Sequence, residues 1–174
     1  MPDFPSFGAI LTIAFVLWFV VNFVLPSRKH PDISRYVTAA PLMTPMEQRT
    51  IDHIETALPW ARVHAQVSMG ALLKPVRGLN RSKSTTVRNR FSSKRVDYVI
   101  EHRGTGRVVL LIELDDRTHN RAADAARDRI TAAAGYITLR LPAGERPSAD
   151  NVRQRIRSAF LQHPQLARLQ SDQF

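Results

Sequence analysis

The chain has 174 residues, which leaves room for one ordinary domain and a short additional segment rather than for two full domains. It carries 25 Lys and Arg against 15 Asp and Glu, and this net charge of +10 favours an anionic partner such as nucleic acid or a membrane surface. It contains no cysteine, which excludes disulfide bonds and is compatible with a reducing compartment.

The first segment with a clear character is apolar. Residues 8–25, "GAILTIAFVLWFVVNFVL", carry no charge and nearly span a hydrocarbon core of about 30 Å. A secretory signal peptide is the alternative, but it requires a basic start, and Asp3 is the one charged side chain before the span. Because Arg28, Lys29 and Arg35 follow the span, we expect a single-pass inner (cytoplasmic) membrane protein whose C-terminal domain is cytoplasmic.

The remaining chain divides by composition. Scattered prolines after the apolar segment indicate a linker, and periodic apolar residues begin near residue 43. We predict a transmembrane anchor at 1–27, a juxtamembrane linker at 28–42, a folded domain at 43–163 and a C-terminal tail at 164–174.

The folded domain begins with a helix that is well marked in the sequence. Thr44 is the predicted N-cap, Pro45 occupies the first helical position and Glu47 completes a capping box. Pro59 ends this helix. The alternating residues 62–69, "RVHAQVSM", predict a strand.

A basic segment follows at residues 74–95, and it contains no acidic residue. It predicts a loop with a short helix that binds the phosphate backbone of nucleic acid. A solvated charged face and attraction to anionic lipid are the alternatives. The predicted nucleic-acid-binding residues are Lys74, Arg77, Arg81, Lys83, Arg88, Arg90, Lys94 and Arg95.

Three more strands and two more helices complete the predicted domain. A "GTG" turn joins two strands in a hairpin, Gly135 ends an alanine-rich helix, and Ser148 caps the last helix. The order α-β-β-β-α-β-α predicts an α/β fold with a small mixed sheet covered by helices. The predicted strands are 95–102, 107–114 and 136–141, and the predicted helices are 121–135 and 148–163.

Three acidic residues of this hairpin can converge. Asp97 and Glu113 can lie side by side on neighbouring strands, and Asp115 shares a strand face with Glu113. Three converging carboxylates predict a site for Mg²⁺ or Mn²⁺, which would remove their mutual repulsion. Each acid alone also has a plainer explanation, as the partner of a nearby base or the start of a turn.

The motifs "KRVDYVI" and "VVLLIELDDRTH" resemble the core of the PD-(D/E)XK nuclease superfamily, which has an acid on one strand and E-x-K on its hairpin partner. The similarity is closer to the branch around the very-short-patch repair endonucleases and related small bacterial domains of unknown function. The "TPMEQ" helix and "AAAGYITLRL" agree with that branch, so the resemblance covers about residues 42–141. It implies a restriction-endonuclease-like α-β-β-β-α-β core with a mixed four-stranded sheet.

The resemblance also implies roles for individual residues. Asp97 and Glu113 correspond to metal ligands, whereas Asp115 stands where the superfamily has its lysine and cannot supply a positive charge. His119 is a possible substitute as base or phosphate partner, or else a surface histidine. Glu47 corresponds to the acid that the first helix turns toward the site, although the capping box already explains it.

Arg127 and Arg129 follow on the next helix and can face either the scissile phosphate or solvent. Together these features predict a membrane-anchored nuclease-like protein that hydrolyses nucleic-acid phosphodiester bonds with a divalent metal. An inactive nuclease-fold module that binds nucleic acid or protein at the membrane is the second hypothesis, and the missing lysine favours it. An adaptor that binds lipid is the third, but it leaves "IELDD" unexplained.

Overall fold

A computed structural model describes residues 7–20, 32–115, 121–142 and 147–171. The chain divides into two compact units, Met1–Ala40 and Pro41–Phe174. The first unit contains helix α1 (Phe7–Phe19) and a short 3-10 turn (Ser34–Tyr36). Within the four described ranges, no helix has both the length and the apolar character that a membrane span needs. The predicted anchor continues through residues 21–25, which lie outside those ranges.

The second unit begins with helix α2 (Pro45–Ala57), and the predicted capping box is confirmed. The Thr44 side chain accepts a hydrogen bond from the backbone N–H of Glu47, and the Glu47 carboxylate accepts one from the backbone N–H of Thr44. Such a cap stabilises a helix by about 1 kcal/mol because it satisfies N–H groups that lack partners within the helix. The first turn of α2, including Glu47, therefore has a fixed position.

The second unit contains one mixed sheet of four strands in the order β1-β2-β3-β4. The pairs β1·β2 and β2·β3 are antiparallel, and β4 is parallel to β3. Each predicted strand is present, and the prediction of a mixed α/β fold with a four-stranded sheet is confirmed. The strands are β1 (Ala61–Ser68), β2 (Arg95–His102), β3 (Val108–Leu114) and β4 (Thr138–Leu141).

Six helices surround this sheet within the described residues. Gly135 ends α5 (Arg121–Ala133) with a φ of +85°, a backbone conformation that favours glycine, as the sequence predicted. The segment that we expected to be a tail includes a further helix, whose Leu166 side chain is fully buried in the core. Besides α2, the helices are α3 (Met69–Leu72), α4 (Arg81–Asn89), α5 (Arg121–Ala133), α6 (Ala149–Gln162) and α7 (Pro164–Ser171).

The sheet has an apolar core on each face. The first core joins Tyr98 and Ile112 of the sheet to side chains of α2, α6 and α7. The second core joins Val99 and Leu111 to α3, to Phe91 after α4 and to α5. Because successive side chains alternate between faces, strand positions next to the first-core residues lie on the face of the second core. That face carries Glu113, which follows Ile112 on β3 and contacts Arg127 of α5.

Candidate functional site

The hairpin brings two of the predicted metal ligands together at one end of the sheet. Tyr98 pairs with Ile112, so the next position along the ladder sets Asp97 opposite Glu113. Oδ2 of Asp97 accepts a hydrogen bond of 2.9 Å from the backbone N–H of Leu114. This bond fixes one oxygen of Asp97 at the point where β3 ends.

Glu113 is buried beside a positive charge. Its side chain is 6% exposed, and its Oε2 lies 2.9 Å from Nη2 of Arg127 on α5. Burial raises the pKa of Glu113 to about 8, and the negative charge of Asp97 adds to the rise, whereas Arg127 and Arg140 oppose it. The pair of carboxylates therefore favours a bound proton or an added cation.

Arg140 on β4 links two further acids. Glu113 and Arg140 are partners in the parallel β3·β4 register. Nη1 of Arg140 lies 2.5 Å from Oδ1 of Asp115, and its Nη2 and Nε donate to Asp128 over 2.8 and 3.1 Å. The hydrogen bonds to Asp128 raise the pKa of Arg140, and the hydrogen bond to Asp115 acts in the same direction. The guanidinium therefore remains charged beside Glu113.

The structure does not bring the three predicted acidic residues together at one point. Asp97 lies close enough to Glu113 for its charge to raise the pKa of that residue, whereas Asp115 is bound by Arg140. Across the described residues, no group of three or more His, Cys, Asp or Glu side chains is arranged to hold a metal ion. Asp116 and His119 lie outside the described residues, so the predicted role of His119 stays a prediction.

Glu47 lies at the start of α2 and has partners for both carboxylate oxygens. Oε2 accepts from the backbone N–H of Thr44 within the cap, and Oε1 accepts a 2.8 Å hydrogen bond from Nε2 of Gln66 on β1. The Tyr98 hydroxyl donates to the backbone carbonyl of Glu47 over 2.8 Å. The capping explanation is therefore correct, but it leaves the contact with Gln66 to be explained.

The basic segment carries its charges at the surface. Of its eight Lys and Arg residues, seven are exposed and Lys94 is half-buried. Three of these eight basic residues, Arg81, Lys83 and Arg88, lie within α4, whose apolar Val87 packs against the second core. One face of α4 is thereby attached to the domain while its arginines and lysine remain accessible to a phosphate backbone.

The basic segment also lies at the acidic end of the sheet. Ser68 at the end of β1 pairs with Arg95 at the start of β2. The Ser68 hydroxyl donates to the Ser92 carbonyl over 2.7 Å, and the Met69 N–H donates to the Lys94 carbonyl over 2.8 Å. The chain that contains the basic segment therefore leaves β1 and enters β2 at the same end of the sheet. Asp97 lies at this end, two residues after Arg95.

Sequence reasoning did not identify Arg140 or Asp128 as members of this site, nor the contact between Gln66 and Glu47. Arg140 becomes a neighbour of Glu113 through parallel pairing of strands that are separated by a helix. The signal was the charged residue within the apolar "YITLRL", since an arginine beside a strand end needs a partner. Arg127 was proposed to face phosphate or solvent, and the structure shows it against Glu113.

The comparison with protein families gives one result. A family model described as "Protein of unknown function (DUF2726)" matches residues 39–160. The chain belongs to the DUF2726 family. The matched DUF2726 region includes α2, all four strands and most of α6, and so it contains every described residue of the site. Comparison with curated proteins and with solved structures finds no match to this chain.

Proposed function

We propose that the DUF2726 domain of this chain is a divalent-metal-dependent hydrolase of nucleic-acid phosphodiester bonds. The observation that carries the proposal is the position of Asp97 opposite Glu113, at the end of the sheet where the chain that contains the basic segment leaves β1 and enters β2. Adjacent carboxylates attract a cation, and adjacent basic side chains attract phosphates. Both are needed to bring a phosphodiester bond to a metal ion.

The donor set fits Mg²⁺ or Mn²⁺. Mg²⁺ in proteins is held by one or two carboxylates together with water and substrate phosphate, so Asp97 and Glu113 are sufficient protein ligands. Glu113 is buried beside a second negative charge, and a cation would lower the free energy of that arrangement. When bound, the metal would polarise a phosphoryl oxygen and activate water. Asp115, the third predicted ligand, is held by Arg140 and becomes available only if that pair opens.

The arginines of the site can supply the positive charge that Asp115 cannot. Arg127 and Arg140 both act on Glu113, and Arg140 is bound by two acids in a fork geometry that limits its motion. A guanidinium held beside the carboxylates can stabilise the charge that develops on phosphate. We assign this role to Arg127 and Arg140, with Asp115 and Asp128 orienting Arg140.

The order of the elements also supports this proposal, and the N-terminal residues support a proposed location for the protein. The resemblance to the PD-(D/E)XK superfamily implies an α-β-β-β-α-β core, and α2, β1, β2, β3, α5 and β4 follow one another in that order. The apolar residues 8–25 and the basic residues after them support attachment to the inner membrane with the DUF2726 domain in the cytoplasm.

A module that binds nucleic acid or protein without cleaving it is the second candidate. The observation that favours it is the pairing of Asp115 with Arg140 and of Glu113 with Arg127. These ion pairs offset the repulsion among the acids without a metal ion. Under this alternative the basic segment alone performs the function.

Hydrolysis assays on the full-length protein separate the two candidates. Supercoiled DNA and RNA substrates are incubated with Mg²⁺, Mn²⁺ or EDTA, and the variants Asp97→Asn and Glu113→Gln are compared with wild type. Asp150→Asn is the matched control, because the Asp150 side chain is 96% exposed on α6. We expect metal-dependent cleavage that both site variants lose and the control keeps. Binding without cleavage under every condition would favour the second candidate.

A further inference from the structure

Two carboxylates bind the guanidinium of Arg140 in different ways. Nε and Nη2 donate two hydrogen bonds to the two oxygens of Asp128, over 3.1 and 2.8 Å. Nη1 donates a single hydrogen bond to Oδ1 of Asp115. The hydrogen bonds to Asp128 are the largest cause that raises the pKa of Arg140, and the bond to Asp115 contributes less. Because paired bonds from one guanidinium to one carboxylate are the stronger arrangement, Asp115 is the more easily exchanged partner.

Asp115 can release Arg140 without a change in the fold. Its backbone N–H donates to the carbonyl of Leu141 over 2.8 Å, so the chain after β3 is attached to β4 independently of the Asp115 side chain. The side chain of Asp115 is 29% exposed and that of Arg140 is 24% exposed. The carboxylate therefore reaches water by a change of rotamer, and the guanidinium is accessible from solvent.

A phosphate group and a carboxylate are alternative ligands for the same guanidinium. Both have negatively charged oxygens that accept charge-assisted hydrogen bonds from arginine. Asp128 already occupies Nε and Nη2, and Asp115 lies against Nη1. A second anion at Nη1 would be repelled by the Asp115 carboxylate. A phosphate that binds Arg140 there must therefore replace Asp115.

We propose that the Asp115 carboxylate occupies the position of a nucleic-acid phosphate on Arg140 and that the phosphate displaces it on binding. Asp128 keeps the guanidinium in place during the exchange. Arg140 is the register partner of Glu113, so the phosphate would bind beside the carboxylates of the proposed metal site. Asp115 is thus an autoinhibitory contact that lowers the affinity for nucleic acid. The inference rests on the proposed function for the source of the phosphate, but it requires no bound metal.

Binding of nucleic acid in EDTA tests this exchange separately from hydrolysis. A fluorescein-labelled DNA duplex and an RNA of the same sequence are titrated with the full-length protein, and fluorescence anisotropy gives Kd. Asp115→Asn removes the charge that competes with phosphate. We expect this variant to bind about tenfold more tightly than wild type, because the ion pair with Arg140 no longer reduces the fraction of protein that is competent to bind. Asp128→Asn is the matched control, since it removes the same charge from the same guanidinium and should bind no more tightly than wild type.

The control separates the exchange from a general effect of charge. Equal tightening in Asp115→Asn and Asp128→Asn would overturn the inference, because removal of any nearby negative charge would then explain it. Unchanged affinity in Asp115→Asn would also overturn it and leave the proposed function standing. If neither wild type nor Asp115→Asn binds DNA or RNA in EDTA, the inference fails, and the hydrolysis assays still decide the proposed function. Should either variant fail to melt cooperatively, Asp115→Ser or Asp128→Ser replaces it, since serine also lacks the charge.

Discussion

Nη1 of Arg140 lies 2.5 Å from Oδ1 of Asp115, so the aspartate that follows β3 is bound to an arginine of the neighbouring strand. The same guanidinium contacts Asp128 on α5, and its backbone position is the register partner of Glu113. Positive charge is therefore present beside Glu113, although it comes from β4 and not from β3. This arrangement explains how a strand can end in several carboxylates without a large cost in free energy.

Replacing Arg140 tests that explanation. Arg140→Met would leave Asp115 and Asp128 without their shared partner, and we expect the free energy of unfolding to fall by about 1–3 kcal/mol. Arg140→Lys keeps the charge but loses the fork, so its effect should be smaller. Thermal melting of the full-length protein measures both changes. Arg153→Ala is the control, since its 3.5 Å pair with Asp150 is exposed and should contribute little.

The dependence of stability on pH tests the environment of Glu113. Its pKa is about 8 in the folded protein against an ordinary value of 4.5, so the folded state binds the proton more tightly than the unfolded state. This contribution to stability is complete below about pH 4.5 and is lost as the pH rises through 8. Glu113→Gln, which cannot ionise, should remove a pH dependence on the order of a few kcal/mol between pH 5 and 8. Parallel profiles for wild type and variant would contradict the raised pKa.

The basic segment predicts binding that depends on salt. Arg88 and Arg90 are exposed, and replacing both with Ala should weaken nucleic-acid binding. The slope of log affinity against log salt should become smaller by about two, one unit for each lost phosphate contact. Fluorescence anisotropy at several salt concentrations measures both. Arg153→Ala with Arg157→Ala removes the same charge from α6 and should leave the slope unchanged if α4 forms the interface.

Local signals account for the parts of the fold that the sequence predicted well. The capping box at Thr44, the hairpin turn and the glycine after α5 depend on residues within a few positions of each other. The contacts of Arg140 and Gln66 could not be predicted in this way. The contact of Arg140 with Asp115 depends on the register of β4 against β3, and Gln66, which contacts Glu47, has a left-handed backbone that no glycine marks. Helix α7 was missed because only two leucines of this short helix, the buried Leu166 and the half-buried Leu169, mark its contact with the core.

The N-terminal segment predicts membrane topology. One-sided basic residues after the apolar residues 8–25 favour a cytoplasmic location for the DUF2726 domain. Protease added to intact spheroplasts should leave the domain uncut, and protease added after lysis should digest it. Digestion from outside would mean that the chain has the opposite orientation or is exported.

The measurement that tests the central claim most directly is the melting temperature of the full-length protein in EDTA, Mg²⁺ and Mn²⁺, for wild type and for Asp97→Asn. A cation that binds only the folded state stabilises it by about 2.7 kcal/mol at a hundredfold excess over Kd, whatever the substrate. We predict that Mg²⁺ or Mn²⁺ raises the wild-type melting temperature by several degrees and that Asp97→Asn loses most of this increase. A wild-type melting temperature that is the same in EDTA and in both metals would contradict a divalent-metal site at Asp97 and Glu113.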